Sequence, residues 1–87
     1  MFKNFVEDKF EGGRDCSFNF NGVDCQVNHY KEDECNYETQ LYFGDKYIRW
    51  GRLQGEMFSQ GDDFSFRENK EFLEEFIEFF GYAFPTV

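Results

Sequence analysis

Apolar and polar side chains alternate with a period of two between residues 15 and 30, break at one dipeptide, and then resume. Cys16, Phe18 and Phe20 alternate with Ser17 and Asn19, and Val23, Cys25 and Val27 alternate with Asp24 and Gln26. The dipeptide between them, Asn21-Gly22, can take the positive φ values that a two-residue type I′ turn requires. Such a turn pairs Phe20 with Val23, Phe18 with Cys25 and Cys16 with Val27, which puts all six on one face of a half-buried hairpin.

The same pattern predicts a second hairpin. Tyr37, Thr39, Leu41 and Phe43 alternate with Glu38, Gln40 and Tyr42, and Gly44-Asp45 suits a two-residue turn. Pairing across it sets Leu41 against Ile48, Tyr42 against Tyr47, and Gln40 against Arg49, with Glu38 diagonal to that arginine. Leu53, Gly55 and Met57 mark a further, weaker strand, because glycine weakens a strand interior. At the other end, Phe2, Phe5, Val6 and Phe10 stand at near-helical spacing before Gly12-Gly13 and predict a short helical segment.

The C-terminal part changes period. Ser65-Phe66-Arg67-Glu68 matches a capping box, the body runs from Asn69 to Phe80, Gly81 supplies the C′ position and Pro85 prevents resumption. Phe72, Leu73, Phe76, Ile77, Phe79 and Phe80 form the apolar side that should lie on the sheet. The expected architecture is therefore α+β: an antiparallel sheet of hairpins, about four to five strands, packed on one face by a C-terminal helix, as a single domain over residues 1–87.

Composition sharpens this picture. A chain of 87 residues holds one core, and a domain this small buries only about 60% of its unfolded surface. Fourteen Phe, five Tyr and one Trp supply large apolar side chains, and they exceed what one small core hides. Some should lie near the surface, where clustered apolar area marks a contact site, and the surplus fits a homodimer as well as a monomer. The N-terminal stretch lacks the apolar run of a signal peptide, and the cysteines Cys16, Cys25 and Cys35 are odd in number. Both features lead to the expectation of reduced thiols in a cytoplasm.

Eighteen acidic residues against nine basic ones give a net charge of −9. Phosphate backbones and anionic membranes call for clustered Lys and Arg, which this chain lacks, so direct nucleic-acid or membrane binding is not expected. Basic protein partners are favoured, although high charge also keeps an aromatic-rich chain in solution. The placement of the acids is more informative. Glu71, Glu74, Glu75 and Glu78 fall on one stripe of the helix, at spacings of three and four. At about 1.5 Å rise per residue the stripe is about 10 Å long, a charge density comparable to that of a nucleic-acid strand. Lys31-Glu32-Asp33-Glu34 and Gly61-Asp62-Asp63 read first as polar loops that extend the negative field. Tyr42, Tyr47 and Trp50 lie on or near strands, and aromatic side chains on an open sheet face are favoured interface anchors.

Catalysis and metal binding find little support. Cys16, Cys25, His29 and Cys35 match no paired zinc-knuckle spacing, and the acidic segments lack the alternating oxygen ligands of a calcium loop. With a single histidine, His29, a nucleophile–base pair would have to be Cys-His, and no glycine-rich phosphate loop is present. The expectation is a non-enzyme without cofactor or metal.

In general character the chain resembles the small acidic phage-encoded inhibitors of bacterial defence, anti-CRISPR proteins above all. The likeness rests on composition and on Glu71, Glu74, Glu75 and Glu78 together with Glu32-Asp33-Glu34 and Asp62-Asp63. It implies a protein that blocks the nucleic-acid channel of a basic effector in a bacterial host cell by presenting carboxylates where phosphates would bind. An antitoxin or immunity-type protein, inhibiting a toxic enzyme through Tyr42, Tyr47 or Trp50, is the alternative that the same residues allow.

Overall fold

The alternating segments form the strands of one antiparallel sheet in a computed structural model that describes residues 2–62 and 68–81. Among these residues the order is β1 (Phe2–Phe10), β2 (Gly13–Phe20), β3 (Val23–Asp33), β4 (Asn36–Phe43), β5 (Lys46–Leu53), β6 (Glu56–Gly61) and α1 (Lys70–Phe80). Each strand pairs with the next, so the sheet is a six-stranded meander with β1 and β6 at its edges. Sequential pairing of this kind needs only short turns and no crossovers.

Both expected hairpins form in the expected register. Phe20 faces Val23, Phe18 faces Cys25 and Cys16 faces Val27. Asn21 at φ 50° and Gly22 at φ 86° provide the left-handed pair that a type I′ turn demands. In the second hairpin Leu41 faces Ile48, Tyr42 faces Tyr47 and Gln40 faces Arg49. The diagonal Glu38 meets Arg49, with Oε1 3.4 Å from Nε.

Three expectations fail. Residues 2–10 are a strand, not a helical segment. Its register shifts between Lys3 and Val6, where Asn4 sits at φ 56°, so two residues of β1 span the place of one opposite Phe18. This bulge turns Phe2 and Phe5 to the same side, and both rings stack on Phe18, with centroids 4.0 and 6.0 Å away. A bulge thus reproduces the i, i+3 spacing of a helix. The strand count is six because β6 is complete and Gln54-Gly55 is the turn that precedes it. Finally, Lys31-Glu32-Asp33 continues β3 rather than forming a loop, and Glu34-Cys35 makes the turn.

The helix begins at Lys70 with Asn69 in the N-cap position and no side-chain cap bond. The expected cap, Ser65, and Pro85 beyond the end lie outside the described residues. At the other end Gly81 closes the helix in the left-handed conformation, its N–H donating to the Ile77 carbonyl over 2.8 Å. Phe72, Phe76 and Phe80 face the sheet and are buried, while Ile77 and Phe79 remain about half exposed at the flanks of that stripe. Phe72 reaches Phe20 and Phe43, Phe76 reaches Trp50, and Phe80 reaches Phe18. Cys16, Val27, Leu41 and Ile48 form the apolar row beneath them.

Polar contacts fasten the helix to β1 and β2. Glu75 Oε1 accepts the Phe2 backbone N–H at 2.7 Å. Arg14 donates from Nη1 to Glu7 at 2.9 Å and from Nη2 to the Phe80 carbonyl at 3.4 Å, and its guanidinium lies 4.9 Å from the Phe80 ring centre. The last turn of α1 carries no basic residue. The cation that its dipole favours comes from β2 instead. No helix among the described residues is long and apolar enough to cross a membrane.

Candidate partner-binding surface

Because successive side chains of a strand point to opposite faces, the burial of Cys16, Val27, Leu41 and Ile48 beneath α1 fixes what the open face carries. Three rows cross it. One runs Asp8, Asp15, Asn28, Gln40, Arg49, Gln60, through all six strands. A second holds Val6, Ser17, Gln26, Tyr42 and Tyr47, and a third holds Phe10, Gly13, Tyr30, Glu38, Gly51 and Phe58.

Side-chain hydrogen bonds hold this face in place. Asn28, itself buried, donates to Asp15 Oδ1 at 2.6 Å and accepts from Gln26 at 3.2 Å, and the Tyr30 hydroxyl donates to the same Asp15 oxygen at 3.1 Å. Burial, then this bond to Asp15, raises the Tyr30 hydroxyl pKa above the usual phenol range. Toward β6, Glu38 accepts from Gln40 and pairs with Arg49, whose guanidinium carbon lies 5.4 Å from the Phe58 ring centre. The Tyr42 and Tyr47 rings meet at 4.6 Å between centroids. Tyr42 is 40% exposed and Tyr47 half-buried, so together they present an aromatic platform with polar tips.

A shallow groove of about 610 Å³ lies at the end of the sheet where β3 meets β4 and β5 meets β6. Tyr30, Tyr37, Met57 and Phe58 line it, with Lys31, Arg49 and Arg52 set against Glu32, Glu38 and Glu56. Three charges of each sign leave the groove as a whole without net charge.

The acidic residues singled out from sequence have different fates. Glu71, Glu74 and Glu78 are exposed along the outer side of α1. Glu75 is half-buried and bonded to the Phe2 amide, so it belongs to the fold and leaves the stripe with three members. Glu32, Asp33 and Glu34 are exposed. Asp33 shapes the turn by accepting from the Cys35 amide at 2.7 Å, and Glu34 pairs with Lys31 at 2.7 Å. Asp62 accepts the Tyr47 N–H at 2.8 Å, while Asp63 lies outside the described residues. Trp50 must be withdrawn from any contact surface, because it is 5% exposed beneath Phe76. Its position two residues from Ile48 on β5 puts it on the helix face.

Two of the three thiols and the histidine are packed within the fold. Cys16 and Cys25 are buried, and burial pushes their pKa values up to about 11 and about 12. Cys35 is exposed in the β3–β4 turn. His29 Nδ1 lies 2.8 Å from Thr39 Oγ1, and its pKa is lowered first by burial and then by Arg14 and Lys31. No group of three His, Cys, Asp or Glu side chains among the described residues is placed to hold a metal ion.

Sequence reasoning anticipated the Glu38–Arg49 pair but missed the Asp15–Asn28–Tyr30 network and the seat of Arg49 on the Phe58 ring. The polar positions of the alternation were the available signal, since each falls at a cross-strand neighbour once the registers are known. Comparison of the chain with protein-family models, with characterised proteins and with solved structures finds no match in any of the three.

Proposed function

We propose that this protein is a non-catalytic inhibitor, anti-CRISPR-like in character, that binds a basic nucleic-acid-handling effector in a bacterial cytoplasm and blocks its nucleic-acid site. The observation that carries this reading is the outer side of α1, where Glu71, Glu74 and Glu78 stand exposed over about 10 Å of helix. Like charges at i,i+3 and i,i+4 each cost a helix about 0.2–0.5 kcal/mol, so the stripe is held against its own repulsion. Solubility alone is served better by mixed charge on such a face. The effector's Arg and Lys would pair with the stripe, steering association and fixing orientation.

The test is binding to a nuclease effector, compared with a Glu71→Gln/Glu74→Gln/Glu78→Gln variant across rising salt. Glu75 is left intact because it holds the Phe2 amide. The variant should associate about tenfold more slowly at low salt, and the difference should shrink as salt rises. Equal rates at every salt concentration would remove charge mimicry from the account.

A second reading draws on the Tyr42–Tyr47 platform, which favours an antitoxin or immunity-type partner held by aromatic contacts. Under that reading Tyr42→Ala weakens binding more than the triple glutamine variant does.

A further inference from the structure

The two edges of the sheet differ in how they are defended. Edge strands expose unpaired N–H and C=O groups, and proteins blunt them with bulges and lysines. β1 has both: the bulge at Asn4-Phe5, and Lys3 and Lys9. β6 has neither. Its sequence, Glu56-Met57-Phe58-Ser59-Gln60-Gly61, contains no proline and no basic residue, and its pairing with β5 runs without interruption.

The register says which groups point outward. Leu53 and Glu56 close the two-residue turn, so this pair exchanges hydrogen bonds and the pattern alternates along the strand. Phe58 and Gln60 bond inward to β5, and the Asp62 N–H continues the series by donating to the Tyr47 carbonyl at 2.7 Å. Met57 and Ser59 therefore direct N–H and C=O away from the sheet. Both are exposed, Met57 at 68%.

Charge decides between occupants. Glu56 and Asp62 bracket the strand. A second copy paired antiparallel about Ser59 would set Glu56 against Asp62 twice and bring together two chains of net charge −9. An extended segment with basic residues at its ends would meet opposite charge at both.

We propose that β6 is a docking edge for an extended basic segment of a partner protein, which adds to the sheet as a seventh, antiparallel strand. The segment carries Lys or Arg at two positions six residues apart, opposite Asp62 and Glu56, with an apolar side chain opposite Phe58. Main-chain bonds to Met57 and Ser59 fix its register. This shares the basic-partner premise of the proposed function but uses a different surface from the α1 stripe.

The probe is a capped heptapeptide, Lys-Thr-Val-Thr-Val-Thr-Lys, followed by amide exchange and chemical shifts on the full chain. At saturating peptide, exchange at Met57 and Ser59 should slow by at least about tenfold. A peptide with Glu in place of both Lys should leave it unchanged. Ser59→Pro removes an outward donor without touching a bond to β5 and should abolish the protection, whereas Ser59→Ala keeps it, with Trp50 fluorescence checking that both remain folded. The Glu71→Gln/Glu74→Gln/Glu78→Gln variant should protect as the parent does, which separates this edge from the helix stripe. Protection at β1 instead, equal effect of the acidic peptide, or no effect overturns the proposal. So does a peptide-free dimer whose formation Ser59→Pro prevents, since a second copy would then own the edge.

Discussion

Phe76 and Phe79 lie three residues apart on α1, yet truncating them should have very different consequences. Phe76 is 0% exposed and packs among Phe72, Phe80 and Trp50, with centroids at 5.9, 4.7 and 6.2 Å. Phe79 is 47% exposed and meets the β1 side, with Phe5 at 4.6 Å and Phe2 at 5.4 Å, and its helix neighbour Phe80 at 5.9 Å. Removing a buried phenyl ring costs about 3–5 kcal/mol, because lost transfer energy and the remaining cavity add. Removing one that is half exposed forfeits about half of a full burial term, or about 1 kcal/mol. A domain of this length has a total stability of about 4–13 kcal/mol, so Phe76→Ala takes a large share of it.

Urea and thermal unfolding, each followed by Trp50 fluorescence and by far-ultraviolet circular dichroism, measure both variants. Trp50 is the only tryptophan and lies under the helix, so it reports the same interface that the substitution opens. At about 4–8 °C per kcal/mol, Phe76→Ala should lower the melting temperature by at least about 12 °C and Phe79→Ala by about 4–8 °C. If Phe79→Ala costs as much as Phe76→Ala, the helix does not dock through the Phe72–Phe76–Phe80 stripe, and the reasoning from burial fails.

Three other outcomes follow from the same geometry. In the native protein a thiol reagent should label Cys35 quickly and Cys16 and Cys25 only after unfolding, since burial holds those two thiols near 11 and 12. Stability should fall toward acid. Burial raises the Glu7 pKa, but the Cys16 thiol, Arg14 and Lys9 outweigh it and hold the carboxyl below its ordinary value of 4.5, while burial, Arg14 and Lys31 lower His29 below 6.5. Both groups therefore contribute above their unfolded pKa values and lose that contribution as pH drops through the folded ones. Urea midpoints should begin to decline below about pH 6.5, and His29→Gln should flatten the first part of that decline. Gly22→Ala should cost about 1 kcal/mol in the same assay, because at φ 86° an added Cβ meets no neighbour and the penalty is conformational alone.

The central hairpins were legible because two independent local signals, alternation and turn chemistry, specify the same register. β1 was not, because its bulge depends on what Phe18 and the helix offer opposite it, and nothing within residues 2–10 reports that. The end of β3 was misread for a related reason. Lys31, Glu32 and Asp33 have the composition of a loop, but β4 supplies their pairing partners, as Tyr37 does for Lys31. Trp50 and Glu75 show the limit for candidate sites. Exposure is set by which face the helix covers and by where the N-terminus of β1 lands, and neither is encoded in the neighbourhood of the residue itself.

The placement of the cations adds to what the net charge implies. Arg14 is engaged between Glu7 and the end of α1, Arg49 lies between Glu38 and Phe58, and Lys31 pairs with Glu34. These cations join strand to strand, helix to sheet and turn to strand. Glu71, Glu74 and Glu78, by contrast, project from the one element whose other side seals the core. Neutralising that stripe leaves the aromatic contacts of α1 in place and relieves repulsion within the helix, but it also forfeits the dipole stabilisation of Glu71 in the first turn, so the net change in stability should stay within about 1 kcal/mol. An unchanged urea midpoint for the Glu71→Gln/Glu74→Gln/Glu78→Gln variant, together with loss of binding to a basic effector, would support the proposed contact, whereas a clearly lower midpoint would make the stripe part of the fold.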